Sequence, residues 1–455
     1  MYTQFDIVVI GAGSGGLTAA VGFRKVGRRV LLVEREHMGG ECTNTGCIPS
    51  KALLHHAKAY HRAAIIAGMT TKTDEYRDAA FMHTRSVIDT ILKEETPEVF
   101  ERMGITVVMG EAQFTGPQTI LVNGETYHFT IAIVATGSGP RMISVPGLSS
   151  ENILTNQNIF SLNTIPAKTL VIGAGPIGLE MGQALALLGS KVTIATIDDT
   201  FLPLEDMAIR RVVQKQFESL GITIECKAAL KSVAENVATF TRLGTDKESF
   251  TIPFNKILLA IGRVPNLPRG LELAGVASTE QGIVVDNQYR TSNKNIYALG
   301  DVASQLKFTH VADDAARQVV VRVISRGLLR VKQKKAVPKV TYTSPEIAQV
   351  GLSWSEAIAT YGEESVLRIE VPFSHNDRAK TDKETGGILV VIVRRLSGKV
   401  IGVHCVGPAA GELIAVFTLA IDNSLSLWKL RSSIYAYPTY ALIIKRAGDY
   451  FLPRR

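Results

Sequence analysis

The sequence predicts an α/β chain in which one doubly wound unit is used twice. Three observations carry that expectation. The length, 455 residues, corresponds to about three domains at roughly 150 residues each. The segment from Asp6 to Glu34 returns 162 positions later as Lys168 to Thr196. In both copies a glycine-rich turn separates an apolar, β-branched run from a stretch of helix length.

The first copy reads DIVVIGAGSGGLTAAVGFRKVGRRVLLVE and the second KTLVIGAGPIGLEMGQALALLGSKVTIAT. Val9, Ile10, Gly11, Ala12, Gly13, Gly16, Leu17, Gly27 and Val30 meet identical residues in the second copy. Strand, turn, helix and second strand make a βαβ unit, twice. Each turn carries G-x-G-x-x-G: Gly11, Gly13 and Gly16, then Gly173, Gly175 and Gly178. The first glycine permits the tight turn, the second lets a pyrophosphate approach the backbone, and the third lets helix and strand pack closely. The free N–H groups and positive dipole end of the helix then face the anion. A glycine-rich connecting loop is the plain alternative for either copy alone. The repeated strand–turn–helix–strand context favours two dinucleotides.

The residue ending the second strand separates the copies. Glu34 stands 21 positions after Gly13, placed to accept hydrogen bonds from a ribose hydroxyl. The second copy has Thr196 there, followed by Ile197, Asp198 and Asp199. The aspartates disfavour a 2′-phosphate, which favours NADH over NADPH.

Composition narrows the class. A chain that is 46% hydrophobic and 20% charged buries a substantial core, which excludes a disordered protein. The formal charge of +8 is confined to residues 315–345, which hold Arg317, Arg322, Arg326, Arg330, Lys332, Lys334, Lys335 and Lys339 and no acid. Without aromatic interleaving, that stretch predicts a solvated helix face and linker, with no nucleic acid as partner. Four cysteines are too few for a secreted disulfide framework. The start MYTQFD has no signal-peptide pattern, and the apolar stretch from Leu170 to Ser190 is broken by Gly, Pro and Glu180. The expectation is a cytoplasmic protein without an integral membrane segment.

After the first βαβ unit comes GGECTNTGCIPSKALLHHAK, with Cys42 and Cys47 at an expected helix start. On an ideal helix their Cα atoms would lie about 8–9 Å apart, beyond the limit of about 7 Å for a disulfide. Gly46 can loosen the turn, and Pro49 suits a helix entry. A strained, breakable disulfide is one reading; two inert cysteines or half a zinc site are the others. Cys226 and Cys405 are isolated and expected in the core. His55 and His56 fit an exposed helix face.

GGECTNTGCIPSK resembles the redox-active signature of the class I pyridine nucleotide–disulfide oxidoreductases, flavoproteins that include dihydrolipoyl dehydrogenase, glutathione reductase and mercuric reductase. The resemblance extends through Ala135–Thr136–Gly137, Ile261–Gly262–Arg263, Ala298–Leu299–Gly300–Asp301 and TSPEIAQVG from Thr343 to Gly351. Thr43 stands where the family usually has an aliphatic residue. The fold so implied is α/β, with two Rossmann-like FAD- and NAD(P)-binding domains plus a C-terminal α+β dimerisation domain. The implied divisions are 1–147 with 266–335 for FAD, 148–265 for NAD(P), and 336–455 for the homodimer interface domain, which begins near Val340.

By that resemblance FAD meets Gly11, Gly13, Gly16, Glu34, Gly40, Thr136, Gly137 and Asp301, and Ala312 begins a helix aimed at the flavin. NAD(P)H meets Gly173, Gly175, Gly178, Thr196 and Gly262. Lys51 and Glu180 resemble the family's ion pair near flavin N5, so Lys51 counts with both the cofactor-binding and the catalytic residues. The implied cycle passes hydride from the nicotinamide to the flavin and electrons to a Cys42–Cys47 disulfide. Cys47 would hold the thiolate, and Cys42 would be the exposed thiol that serves the acceptor.

The C-terminal motif departs from the pattern. Dihydrolipoyl dehydrogenase and glutathione reductase have His-Pro-Thr-x-x-Glu, supplied by the partner subunit. Here it is Tyr437-Pro438-Thr439-Tyr440-Ala441-Leu442, and no histidine follows His404. Tyrosine, with a reference pKa of about 10, is a poor base at neutral pH. Tyr437 resembles mercuric reductase, but the cysteine pair near that enzyme's C-terminus has no counterpart after Cys405. The function implied is NAD(P)H oxidation through FAD and the cysteines toward a metal ion, quinone or small disulfide. Dihydrolipoyl dehydrogenase and a redox sensor with little turnover are the alternatives.

Overall fold

The computed structural model describes residues 3–66, 74–244, 248–329 and 336–451. The first unit is built on β1 (Gln4–Ile10), α1 (Ser14–Lys25) and β2 (Val30–Glu34). Its sheet adds β3 (Thr106–Met109), β4 (Gln113–Gly116), β5 (Thr119–Val122) and β6 (Glu125–Val134), in the order β3-β2-β1-β6-β5-β4. The strand Ile296–Ala298 joins the free edge of β6 in parallel, so this sheet is completed by chain from beyond the second unit. β1 is parallel to both β2 and β6 and covered on both faces, which is why its second half, Ile7 to Ile10, is a continuous apolar run rather than an alternating one.

The chain then runs through α2 (Gly40–Asn44), α3 (Cys47–Ile66), α4 (Asp74–Leu92) and α5 (Pro97–Arg102). The second unit centres on the strand Lys168–Ile172, α6 (Pro176–Leu187) and the strand Lys191–Ala195. Its five strands are all parallel, and α7 (Met207–Ser219) follows. α8 (Thr309–Ile324) returns to the first unit and packs on α1. Small residues allow that approach: a Cβ at Gly22 would lie 3.0 Å from Val320, and one at Gly15 3.3 Å from the Ala312 carbonyl. α8 begins at Thr309 rather than at Ala312, because extended Phe308 ends the preceding loop there; Ala312 is buried in its first turn.

The C-terminal part is an antiparallel five-stranded sheet opening with Lys339–Thr341, backed by the helices Ala410–Asp422 and Leu442–Phe451. Cys405 lies in that core, and half-buried Cys226 packs against the core of the second unit. Of the basic stretch, Arg317 and Arg326 are exposed and Arg322 is half-buried. Arg330, Lys332, Lys334 and Lys335 lie outside the described residues. Among the described residues no helix is long and apolar enough to cross a membrane.

α3 is the element that ties the units together. It buries Leu53, Leu54, Ala57 and Tyr60 against α4 and α6. Burial of each leucine contributes about 1.5–3 kcal/mol, and truncating one to alanine costs about 2–5 kcal/mol.

Candidate active site

Both glycine turns open on one cavity of about 1990 Å³. Gly11, Gly13 and Glu34 line it from the first unit, and Gly175, Pro176 and Glu180 from the second. Cys42, Cys47, Lys51, Gly40, Thr136, Gly137, Gly262, Asp301 and Ala312 join them. Gly16, Gly173 and Gly178 lie within the turns, where their lack of a side chain decides the shape. A Cβ on Gly16 would stand 1.8 Å from the Gly11 carbonyl oxygen, and one on Gly178 2.1 Å from that of Gly173. Glu34 accepts a 2.7 Å hydrogen bond from the Ala12 N–H, fixing its carboxylate beside the turn. Thr196 is buried outside the cavity, and its hydroxyl donates to Asp198 at 2.7 Å.

The cysteines do not share one helix, as their spacing suggested. Cys42 is on α2, and Cys47 starts α3 after a break at Thr45–Gly46. Gly46 belongs at that break, since a Cβ there would meet the Glu41 carbonyl at 2.9 Å. The break removes the separation an ideal helix would impose, and the Cys42 thiol hydrogen-bonds the Cys47 sulfur. That bond is the largest influence on both groups. It lowers the Cys47 pKa to about 6, with help from the Thr309 hydroxyl and the Lys51 charge and against burial. Cys42, the donor, is pushed up by the same bond and by burial. Thr309 lies 3.4 Å from Cys47 Sγ, at the first turn of α8. Cys47 is exposed and Cys42 half-buried, and both line the cavity.

One helical turn after Cys47, Lys51 Nζ donates to Glu180 Oε2 at 2.8 Å. Glu180 is buried, whereas the Lys51 side chain keeps 36% of its exposure. Removing the lysine would strand a buried carboxylate, a defect that costs about 3–5 kcal/mol. The other carboxylate oxygen accepts the Tyr342 N–H at 2.9 Å, and the Tyr342 ring lies 4.5 Å from Lys51 Nζ.

A second charged group surrounds Arg263, which sequence reasoning passed over in favour of its neighbour Gly262. Its Nε donates to Ser138 Oγ at 2.7 Å and lies 3.4 Å from Asp301, while its other arm pairs with Glu41. Asn156 bonds the same glutamate. Glu41, beside Cys42, is thereby tied to Asp301, which also accepts from Ser138 at 2.6 Å. The sequence signal available was the Ile261–Gly262–Arg263 stretch itself.

Tyr437 is 72% exposed and does not line the cavity; its hydroxyl donates to Asp377 at 3.3 Å. His55 is exposed at the cavity, but His56 is half-buried rather than exposed, because α4 packs over it. Its ring is 5.6 Å from that of His83.

Comparison with known proteins identifies the family. Residues 5–316 match the pyridine nucleotide-disulphide oxidoreductase family, and residues 337–447 match its dimerisation domain. Dihydrolipoyl dehydrogenase of Geobacillus stearothermophilus is 32% identical over 457 residues, 98% of this chain and 96% of that protein. The Bacillus subtilis (strain 168) dihydrolipoyl dehydrogenase is also 32% identical, over 468 residues, with the same coverage. The HOCl-induced flavoprotein disulfide reductase RclA from Escherichia coli superposes with a TM-score of 0.87 at 26% identity, covering 99% of this chain and 100% of that one. Its Cu(II) complex gives 0.88 at 25% identity with full coverage of both. The chain belongs to the class I pyridine nucleotide–disulfide oxidoreductases, a family that uses FAD and NAD(P)H and carries a C-terminal dimerisation domain.

Proposed function

We propose that this protein oxidises NAD(P)H and passes the electrons through Cys42 and Cys47 to an acceptor that needs no histidine base. The observation that carries this reading is the hydrogen-bonded thiol pair beside Lys51–Glu180, on a cavity reached by both glycine turns. The residues fit FAD in the first unit. Side chains at Gly16 and Gly40 would strike backbone, and Glu34 faces the cavity end where a ribose hydroxyl can donate. Gly11, Gly13, Gly16, Glu34, Gly40, Thr136, Gly137, Asp301 and Ala312 would hold it. Gly173, Gly175, Gly178 and Gly262 would hold NAD(P)H, NADH in preference, while Thr196, buried outside the cavity with its hydroxyl on Asp198, would take no direct part. The division into 1–147 with 266–335, 148–265 and 336–455 belongs to the same reading, as do a homodimer and a cytoplasmic location.

Held by those residues, FAD would supply two-electron transfer between NAD(P)H and a disulfide. The chain's own residues manage the resulting charge. Opening the Cys42–Cys47 bond takes two electrons and one proton: the proton rests on Cys42 and the thiolate on Cys47. The Thr309 hydroxyl and the Lys51 ammonium stabilise that thiolate. Cys42 would serve the acceptor. Its pKa stays high while Cys47 is negative, and Tyr437 is a poor base, so attack on a disulfide is poorly supported. A metal ion or quinone needs no such base. The Cu(II) complex of RclA puts copper(II) first among metal acceptors. Dihydrolipoyl dehydrogenase is the second reading, favoured by the 32% identical relatives and opposed by Tyr437 and Leu442 in the His–Glu positions.

The test is an anaerobic titration with NADH followed by steady-state turnover against Cu(II), Hg(II), quinones, lipoamide and glutathione disulfide. A long-wavelength charge-transfer band, two new thiols and turnover with a metal ion or quinone are expected. Without the band and the thiols the disulfide cycle is wrong. Lipoamide as the best acceptor would establish the second reading, and no acceptor above the oxygen background would leave a sensor.

A further inference from the structure

Tyr342 lies just past the strand Lys339–Thr341 of the C-terminal sheet, yet its contacts are at the cavity. It touches both members of the Lys51–Glu180 pair: its backbone N–H donates to Glu180 Oε1, and its ring lies under Lys51 Nζ. The two helices that supply the pair also anchor the segment carrying Tyr342. From α3, Lys58 Nζ donates to the carbonyls of Tyr342 and Thr343, each at 3.1 Å. From α6, the Gln183 amide donates to Ser344 O at 2.8 Å and accepts from Ser344 N at 2.6 Å. Lys58 follows Lys51 by seven residues and Gln183 follows Glu180 by three, so each helix presents one member of the pair and one anchor on the same face. Gln183 is fully buried, and Ser344 satisfies its amide at both ends. Burial, with Glu346 and Glu180 nearby, pushes the Tyr342 phenol up, so the ring presents no negative oxygen to compete with Glu180 for the lysine.

We propose that Tyr342 is a positioning residue of the redox centre: its ring seats the Lys51 ammonium and its N–H seats the Glu180 carboxylate. The C-terminal domain thereby governs where the cation beside Cys47 stands. Lys51 is long, flexible and partly exposed, and Glu180, with Ser50 Oγ at 3.3 Å, restrains only its tip. A ring face beneath the ammonium restricts it to one side of the cavity. This role goes beyond the choice of acceptor and holds for any of them.

The experiment uses the holoenzyme as wild type, Tyr342→Phe, Tyr342→Leu and Lys58→Met. Lysine amines are acylated with limiting acetic anhydride and quantified by peptide mass mapping, with exposed Lys168 as the internal standard. Tyr342→Leu is expected to raise Lys51 acylation about fivefold, the scale of losing one such contact, while Tyr342→Phe stays at the wild-type rate. Unchanged Lys51 reactivity in Tyr342→Leu overturns the proposal. So does an equal rise in Tyr342→Phe, which would credit the phenol oxygen rather than the ring. Should Tyr342→Leu fail to fold, Lys58→Met decides: it frees the carbonyls that anchor Tyr342, and a rise at Lys51 supports the proposal while no change overturns it. The readout needs no turnover, so a protein whose cysteines NADH does not reduce would refute the proposed function and leave this result standing.

Discussion

Gly11 turns at φ +103° and Gly173 at φ +105°; the helices that follow both run 12 residues from an extended glycine cap. In backbone the two βαβ units are near copies. They differ in what surrounds the turn. In the first, Gly40 of α2 closes over it, so near that a Cβ on Gly40 would stand 2.6 Å from Gly13 Cα, and Glu34 bonds back to Ala12. In the second, a Cβ on Gly175 would meet nothing within 4 Å, and Thr196 turns to Asp198 instead. A covered turn suits a group that stays, and an open turn suits one that comes and goes with each cycle. Under the proposed assignment the same fingerprint would serve retention in one place and exchange in the other, and the difference would lie in its neighbours.

The largest test of this contrast is paired. Gly16→Ala and Gly178→Ala both drive a methyl into a backbone oxygen, an overpacking cost of about 1–3 kcal/mol or more. Gly16→Ala is expected to purify without yellow colour. Gly178→Ala should keep its flavin and lose about 100-fold in the rate of flavin reduction by NADH, measured by stopped flow. Flavin loss from both variants would erase the contrast. Next, Glu34→Leu leaves the Ala12 N–H unpaired and should weaken flavin retention about tenfold, whereas Thr196→Val should alter NADH KM by no more than about twofold.

The cysteines offer a contrast of their own. Only the thiolate is nucleophilic, so a depressed pKa gives reactivity that appears as pH rises through it. In the reduced protein, Cys47 alkylation should therefore rise with a midpoint near pH 6, while Cys42 stays slow past pH 9. Cys42→Ala removes the main stabiliser of the thiolate and should move the Cys47 midpoint upward. A smaller effect is expected at the exposed pair of Lys227 with Asp199. Asp199→Arg should improve NADPH over NADH about fivefold in kcat/KM, the scale of one surface charge contact. Smallest of all, Tyr437→Phe should change turnover on the true acceptor less than about twofold; a larger loss would make the phenol part of the chemistry.

The glycine turns, Glu34 and the cysteines were legible because each belongs to a local pattern with a physical reason for its spacing. Arg263, Thr309 and Tyr342 were not. Their partners stand 222, 262 and 162 residues away, and one arginine or tyrosine carries no mark of a distant carboxylate or ammonium. Local backbone was misjudged in one instructive place. The Cys42–Cys47 spacing was measured on a continuous helix, but Gly46 lets the chain break, and the break brings the two sulfurs together. His56 was placed on an exposed face because the packing of α4 over α3 has no signature in either segment alone.

Helix α3 has one more consequence. Cys47, Lys51 and Lys58 sit on it at intervals of four and seven residues, close to whole turns. The helix acts as a graduated rod whose marks must stay in phase. Inserting or deleting one residue between 51 and 58 would swing Lys58 by about 100° away from the carbonyls it holds, with Cys47 and Lys51 untouched. A one-residue gap within the rod would therefore require a redox centre assembled on different terms.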